Sequence, residues 1–235
     1  MIRSGARMVP MRFASVLLAT LLAALPLAGA AAPFIVPLGQ ERVTLDAPPG
    51  FSDTSFLSSP RLQELAESLT SASNRILVFA MTDADLRRFM TGDRPDLRRY
   101  VAIATPKGLE RERVSEPQFR TFVADSLREL GSPAASAPTD FRKLLETQPM
   151  GRASLLAELK KEPNLVSILQ GARLPDEGGM FNPRPVYVLA TTTLFLLRGK
   201  ALQLAVYSGY DSPDDVGWIT TVTARWIEEL QRLNR

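Results

Sequence analysis

Residues Val186 to Leu197 read VYVLATTTLFLL, an uncharged run of β-branched, aromatic and aliphatic side chains. Arg198-Gly199-Lys200 follows, and then a second such run, ALQLAVY, from Ala201 to Tyr207. A long apolar run makes either a buried strand or a membrane-crossing helix. Three consecutive threonines and the charged turn favour the strand, and two such strands about a short glycine-containing turn form a β-hairpin. The chain is thereby committed to an antiparallel sheet, and its other segments must be read as partners or covers for that hairpin.

The end of the chain supplies a cover. Ser212-Pro213-Asp214-Asp215 has a capping serine, a proline in the first turn and two acids facing the positive end of the helix dipole. Val216, Ile219, Val222, Trp226, Ile227 and Leu230 then form one apolar stripe, so the helix should run to about Leu233. Earlier segments repeat the theme. Val43 and Leu45 alternate with polar residues as in a short strand, which stops at Pro48-Pro49-Gly50 because proline cannot donate to a ladder. Ser59-Pro60 opens a helix to about Thr70, with Leu62, Leu65, Ala66 and Leu69 on one side. Arg75 to Met81 and Tyr100 to Thr105 read as strands. Between them, Thr82-Asp83-Ala84-Asp85 caps a short helix through Phe89. Ser115 to Leu130 is an amphipathic helix ended by Gly131. A flexible loop near 131–139, two short helices near Asp140–Glu146 and Ala153–Lys161, a strand beginning at Leu165 to Leu169, and a glycine- and proline-rich loop from Pro175 to Pro185 complete the reading. The expected fold class is α+β: an antiparallel sheet with a C-terminal β-hairpin, covered by amphipathic helices as in an α/β/α sandwich.

The first thirty residues belong to none of this. Arg3, Arg7 and Arg12 precede the apolar run Phe13 to Leu25, then Pro26 and the small residues LAGAAAP. Charged, apolar and small-residue regions in that order make a cleavable secretory signal, with cleavage expected after Ala30 or Ala32. The apolar core is too short to span a bilayer as a retained anchor. A lipoprotein signal would need a cysteine, and the chain has none. The expected organisation is a signal over residues 1–30 and one globular domain over 31–235, periplasmic or secreted, with no integral membrane segment after cleavage.

Charge and composition then exclude function classes. The three signal arginines equal the whole formal net charge of +3, so the rest of the chain is balanced and offers no electrostatic case for nucleic acid. With neither cysteine nor histidine, the chain cannot build a disulfide, a Ser-His-Asp or Cys-His site, or a histidine-ligated metal. Carboxylate chemistry remains open; Ser-x-x-Lys does not occur.

Three features carry a family resemblance: Val43-Thr44-Leu45 running into Pro48-Pro49-Gly50-Phe51, the hairpin with Gly199-Lys200 at its tip, and the helix that follows it. In these the chain resembles the superfamily of the photosystem PsbP proteins and the bacterial envelope protein DcrB. It is also similar to exported proteins of proteobacteria. The PsbP-like resemblance implies an α/β/α sandwich used for protein association rather than catalysis. The segment Gly131 to Pro185 is longer than that pattern.

Candidate site residues are few. Arg87, Arg88, Arg98 and Arg99 bracket an acid-containing loop and could together grip an anion; the plainer alternative is surface pairing with Asp85, Asp93 and Asp96. Asp83 and Asp85, like Asp211, Asp214 and Asp215, read as helix caps rather than metal ligands. Trp218 and Trp226 share a helix face and read as core. Gly178-Gly179 matches neither a phosphate loop nor a dinucleotide fingerprint. No catalytic residue, metal or cofactor is assigned. The leading reading is a non-enzymatic domain that binds or helps assemble another envelope protein. A carboxylate-dependent hydrolase and an anion or small-ligand sensor are the alternatives. Acids converging in a deep pocket would favour the hydrolase; a shallow groove or an open sheet edge would favour the binder.

Overall fold

The chain was analysed as a computed structural model that describes residues 32–128, 141–175 and 185–235. The expected signal, the 131–139 loop and most of the Pro175–Pro185 loop lie outside the described residues. In chain order the elements are β1 (Phe34–Leu38), β2 (Glu41–Leu45), β3 (Phe51–Asp53), α1 (Pro60–Ser68), β4 (Asn74–Thr82), α2 (Asp83–Met90) and β5 (Arg99–Pro106). There follow α3 (Glu116–Arg128), α4 (Phe141–Glu146), β6 (Ser154–Glu162), β7 (Leu165–Leu174), β8 (Val186–Leu197), β9 (Lys200–Gly209) and α5 (Pro213–Leu233). The fold is α+β. Among the described residues no helix is long and apolar enough to cross a membrane.

The hairpin seeds the main sheet. β8 pairs with β9 from Val188↔Gly209 to Leu197↔Lys200, about a turn at Arg198 and Gly199. β7 adds to one side and β5 to the other, giving a seven-stranded order β3-β4-β5-β9-β8-β7-β6 in which every pairing is antiparallel. β1 and β2 form a separate two-stranded hairpin.

Side chains alternate across a strand, so the sheet has two apolar faces to cover. On one face Val101, Ile103, Leu189, Phe195, Leu202, Leu204 and Val206 meet Ile219, Trp226, Ile227 and Leu230 of α5 and Leu145 of α4; the β1–β2 hairpin joins this cluster through Leu38, Val43 and Leu45. On the other face Phe79, Met81 and Ala102 pack under Leu62 and Ala66 of α1 and Phe89 of α2, while Leu194 and Ala201 pack under Phe119 of α3. Helices therefore lie on both faces. α4 sits low on β7 because residue 171 is glycine; a Cβ there would lie 2.9 Å from Leu156 Cδ1 and 3.0 Å from Leu145 Cδ1.

The threonines of β8 are buried with partners. Thr191 exchanges a 2.6 Å hydrogen bond with Thr223 of α5, and Thr193 a 2.8 Å bond with Ser167 of β7. Hydroxyls thus stitch sheet to helix and strand to strand without leaving an unpaired polar group.

One expected element is different. The helix expected over Ala153–Lys161 is strand β6, paired with β7 from Ser154↔Gly171 to Glu162↔Leu165. Its residues, SLLAELKKE, favour a helix locally, but Leu155 and Leu156 are both buried, on opposite faces of the sheet. Tertiary burial overrides the local preference. The mismatch survives as two register shifts, between Leu155 and Ala157 and between Glu158 and Lys160. The sequence also missed β1 and the three-residue β3.

Trp226 ties the layers together: its indole N–H donates to the Asp46 carbonyl at 2.8 Å, just beyond β2. Trp226→Phe keeps most of the apolar body but leaves that buried carbonyl without its donor. We expect a loss of about 1–3 kcal/mol of stability, read as a lower urea midpoint with an unchanged slope.

Candidate functional site

Arg98 immediately precedes β5 and Arg99 begins it, next to the end of β9, where the chain turns into α5. Asp215, in the first turn of α5, accepts the N–H of Asp211 at 2.9 Å and of Ser212 at 3.1 Å, closing the start of the helix. Arg99 Nη2 lies 3.0 Å from Asp215 Oδ1, and Arg98 Nη2 lies 3.4 Å from Oδ2. Arg98 also pairs with Asp211. The Arg99 guanidinium stacks 3.9 Å from the centre of the Trp218 ring, which is itself tilted against Phe51. Trp218 and Trp226 thus divide their tasks along α5: one carries a cation at the sheet end, the other fills the core.

The remaining candidates separate from this cluster. Arg87 and Arg88 are exposed on α2, and neither enters an ion pair among the described residues. Asp85 is buried in the first turn of α2, which Thr82 caps: the Asp85 N–H donates to Thr82 Oγ1 at 3.1 Å, and the Asp85 carboxylate accepts the Asp96 N–H at 2.8 Å. Asp83 accepts a 2.7 Å bond from Ser52 Oγ. No group of three or more acids that could hold a metal occurs among the described residues.

Burial pushes the Asp215 carboxyl upward. The N–H groups of Asp211 and Ser212, the Arg99 hydrogen bond and the Arg98 charge outweigh it and hold the carboxyl below its ordinary value. A carboxyl depressed by folding contributes stability above its unfolded pKa, and that contribution is lost as pH falls through the folded value. Asp215→Asn should therefore cost about 1–2 kcal/mol at neutral pH, since both arginines stay partly in water. The gap between variant and parent should narrow below about pH 4. Urea melts at a series of pH values check both statements.

A larger feature lies at the other end of the sheet. β3 pairs only with Ala80 to Thr82 of β4. Thr54 then closes that ladder, its N–H 2.9 Å and its Oγ1 2.8 Å from the Phe79 carbonyl. Here the chain leaves the sheet through a 3-10 turn over Ser55–Leu57, turns at Ser58 with φ 44°, and enters α1. Among the described residues, the departure leaves the first half of β4 without a strand partner on that side. Between this edge and α1 runs a groove of about 800 Å³. Leu62, Ala66, Ile76, Leu77 and Phe79 supply its apolar surface, and Thr54, Ser55, Ser58, Ser59, Thr70 and Ser71 line it with hydroxyls. Phe56, 68% exposed, stands between the lining residues Ser55 and Ser58.

The opposite edge of the sheet is built differently. β6 carries Glu158, Lys160, Lys161 and Glu162, with ion pairs Lys160–Glu162 at 3.0 Å and Lys161–Glu158 at 3.6 Å, besides its two register shifts. Charge and irregularity are the usual guards against edge pairing. The β4 edge has one such device, a register shift at Leu77, and a single charge, Arg75, already paired with Glu110. The sequence offered one clue to this groove, the hydroxyl-rich TSFLSSP around an unburied phenylalanine, which reads as nothing more than a helix cap.

No family model matches the chain, and none of the curated proteins matches it. Among solved structures it has a distant likeness to the Saccharomyces cerevisiae Ran-binding protein Mog1p, at 11% identity and a TM-score of 0.35, over 87% of this chain and 93% of that one. At that score the likeness says nothing about activity or partner.

Proposed function

We propose that this chain is an exported domain, periplasmic or secreted once residues 1–30 are removed, that binds a segment of another envelope protein and assists its assembly without chemistry of its own. The observation that carries the reading is the groove beside the unpartnered part of β4. An apolar surface rimmed by hydroxyls, next to an open sheet edge and an exposed aromatic, is the kind of surface that takes a polypeptide segment. A PsbP-like use of the fold for protein association agrees with it. A hydrolase of the two-carboxylate type would need a second acid facing the first, and among the described residues Glu67 is the only acid lining the groove. An anion bound at Arg98 and Arg99 would have to compete with Asp211 and Asp215 for both cations.

Gln63 is exposed and lines the groove, whereas Glu64 is exposed on the same helix and does not. Gln63→Trp combined with Phe56→Ser should reduce capture of the partner from envelope extract at least tenfold, with thermal melting unchanged; Glu64→Trp should leave capture intact. Equal capture by all three proteins would refute a groove-based binder.

A further inference from the structure

We infer that the groove receives its partner as an added β-strand: an extended peptide that hydrogen-bonds to β4 over Arg75–Val78 and presents an acidic group to Arg75 and Lys107. The inference rests on the binding reading above and names the chemistry of the partner.

The backbone is the first reason. β4 pairs with β5 from Asn74↔Pro106 to Met81↔Tyr100, with Leu77 bulged out of the register, so one of its edges is occupied on both sides of that bulge. Among the described residues, its other edge is used only from Phe79 onward, by Thr54 and β3. The Asn74 N–H is taken by the Ser71 carbonyl at 2.9 Å, which bounds the open length to Arg75–Val78, roughly 13 Å of strand. A peptide placed there continues the line that β3 abandons at Thr54. Backbone pairing supplies affinity in this mode, and alternate side chains supply selectivity. Ile76 and Leu77, which project to opposite faces of the sheet, give it apolar contact on either side of the edge.

Charge is the second reason. Among the described residues, Glu67, Arg75 and Lys107 are the only charged ones lining the groove. Both cations lie where β4 begins: Lys107 N–H donates to the Ser73 carbonyl at 3.0 Å, and Lys107 Nζ to the Ala72 carbonyl at 2.8 Å. Glu110 answers Arg75, but Lys107 enters no ion pair among the described residues. The far end, at Thr54, Ser55, Ser58 and Ser59, is uncharged. Complementarity thus calls for a largely neutral segment with one acid at one end.

The absence of cysteine makes a clean test possible, because Gln63→Cys places the chain's sole thiol in the groove. The probe is a synthetic eight-residue peptide of alternating valine and threonine, with a central cysteine and a terminal aspartate, offered also in reversed sequence. Disulfide trapping onto processed protein purified from the envelope is the readout. One orientation should be trapped. Methylating one alternate set of its backbone nitrogens should lower trapping at least tenfold, and methylating the other set should not. Lysine in place of the aspartate should weaken trapping severalfold, and Lys107→Glu should reverse that preference. Amide exchange in the trapped complex should slow over residues 75–78. Equal trapping of both methylated sets without slowed exchange overturns the strand-addition inference while leaving a groove binder intact. Failure of every probe to trap also overturns it, and the binding reading is then judged by the Gln63→Trp capture experiment alone.

Discussion

Burial of α5 against β8 and β9 organises the molecule. Ile219, Trp226, Ile227 and Leu230 leave water on one face of the hairpin, each contributing on the order of 2 kcal/mol. That single contact fixes several others. It sets the depth at which Trp226 reaches the Asp46 carbonyl and Thr223 reaches Thr191. It also carries the end of the helix to β2, where the Asn234 side-chain oxygen accepts the Thr44 N–H at 2.8 Å and its amide donates to the Thr44 carbonyl at 2.7 Å. The two-stranded sheet, which shares no ladder with the main one, is held through this helix and the core beneath it.

The start of α5 shows how a functional-looking cluster can be consumed by the same requirement. Arg98, Arg99 and Asp215 sit where β5, β9 and α5 meet, and a long helix entering at the rim of a sheet needs its first turn fixed. Asp215 fixes it from within through two backbone N–H groups, and the two arginines fix it from the sheet. The stack of Arg99 on Trp218 then closes the end of the core. Charge density alone drew attention to these arginines, but their partners come from residues more than a hundred positions later, which no local pattern displays.

What could be read from the sequence follows the same division. β8, β9, α5 and α1 were readable because each satisfies its local preference and its burial at once: β-branched residues in the hairpin, a cap and a stripe of period 3.6 in the helices. β6 was misread because leucine, alanine, glutamate and lysine favour a helix, while the two buried leucines are decided by the neighbouring strand. β3 was missed because three residues carry no period. The groove was missed for a deeper reason. It arises where β3 stops, so it is a consequence of chain direction, and residues from three separate segments line it.

The contrast between the two sheet edges then acquires a physical explanation. An open edge is a hazard in any domain, because unpaired backbone groups template association. β6 meets the hazard with charge and irregularity, which would repel any strand. At β4 the edge is recessed: α1 and the Ser55–Leu57 turn leave a channel beside it rather than a flat ribbon. Hydroxyls at its rim would cost less to desolvate on filling than charges would. β4 thus shares the irregularity of β6, in its register shift at Leu77, but not its run of charges, and a recessed, nearly neutral edge is the surface that the proposed partner segment would need.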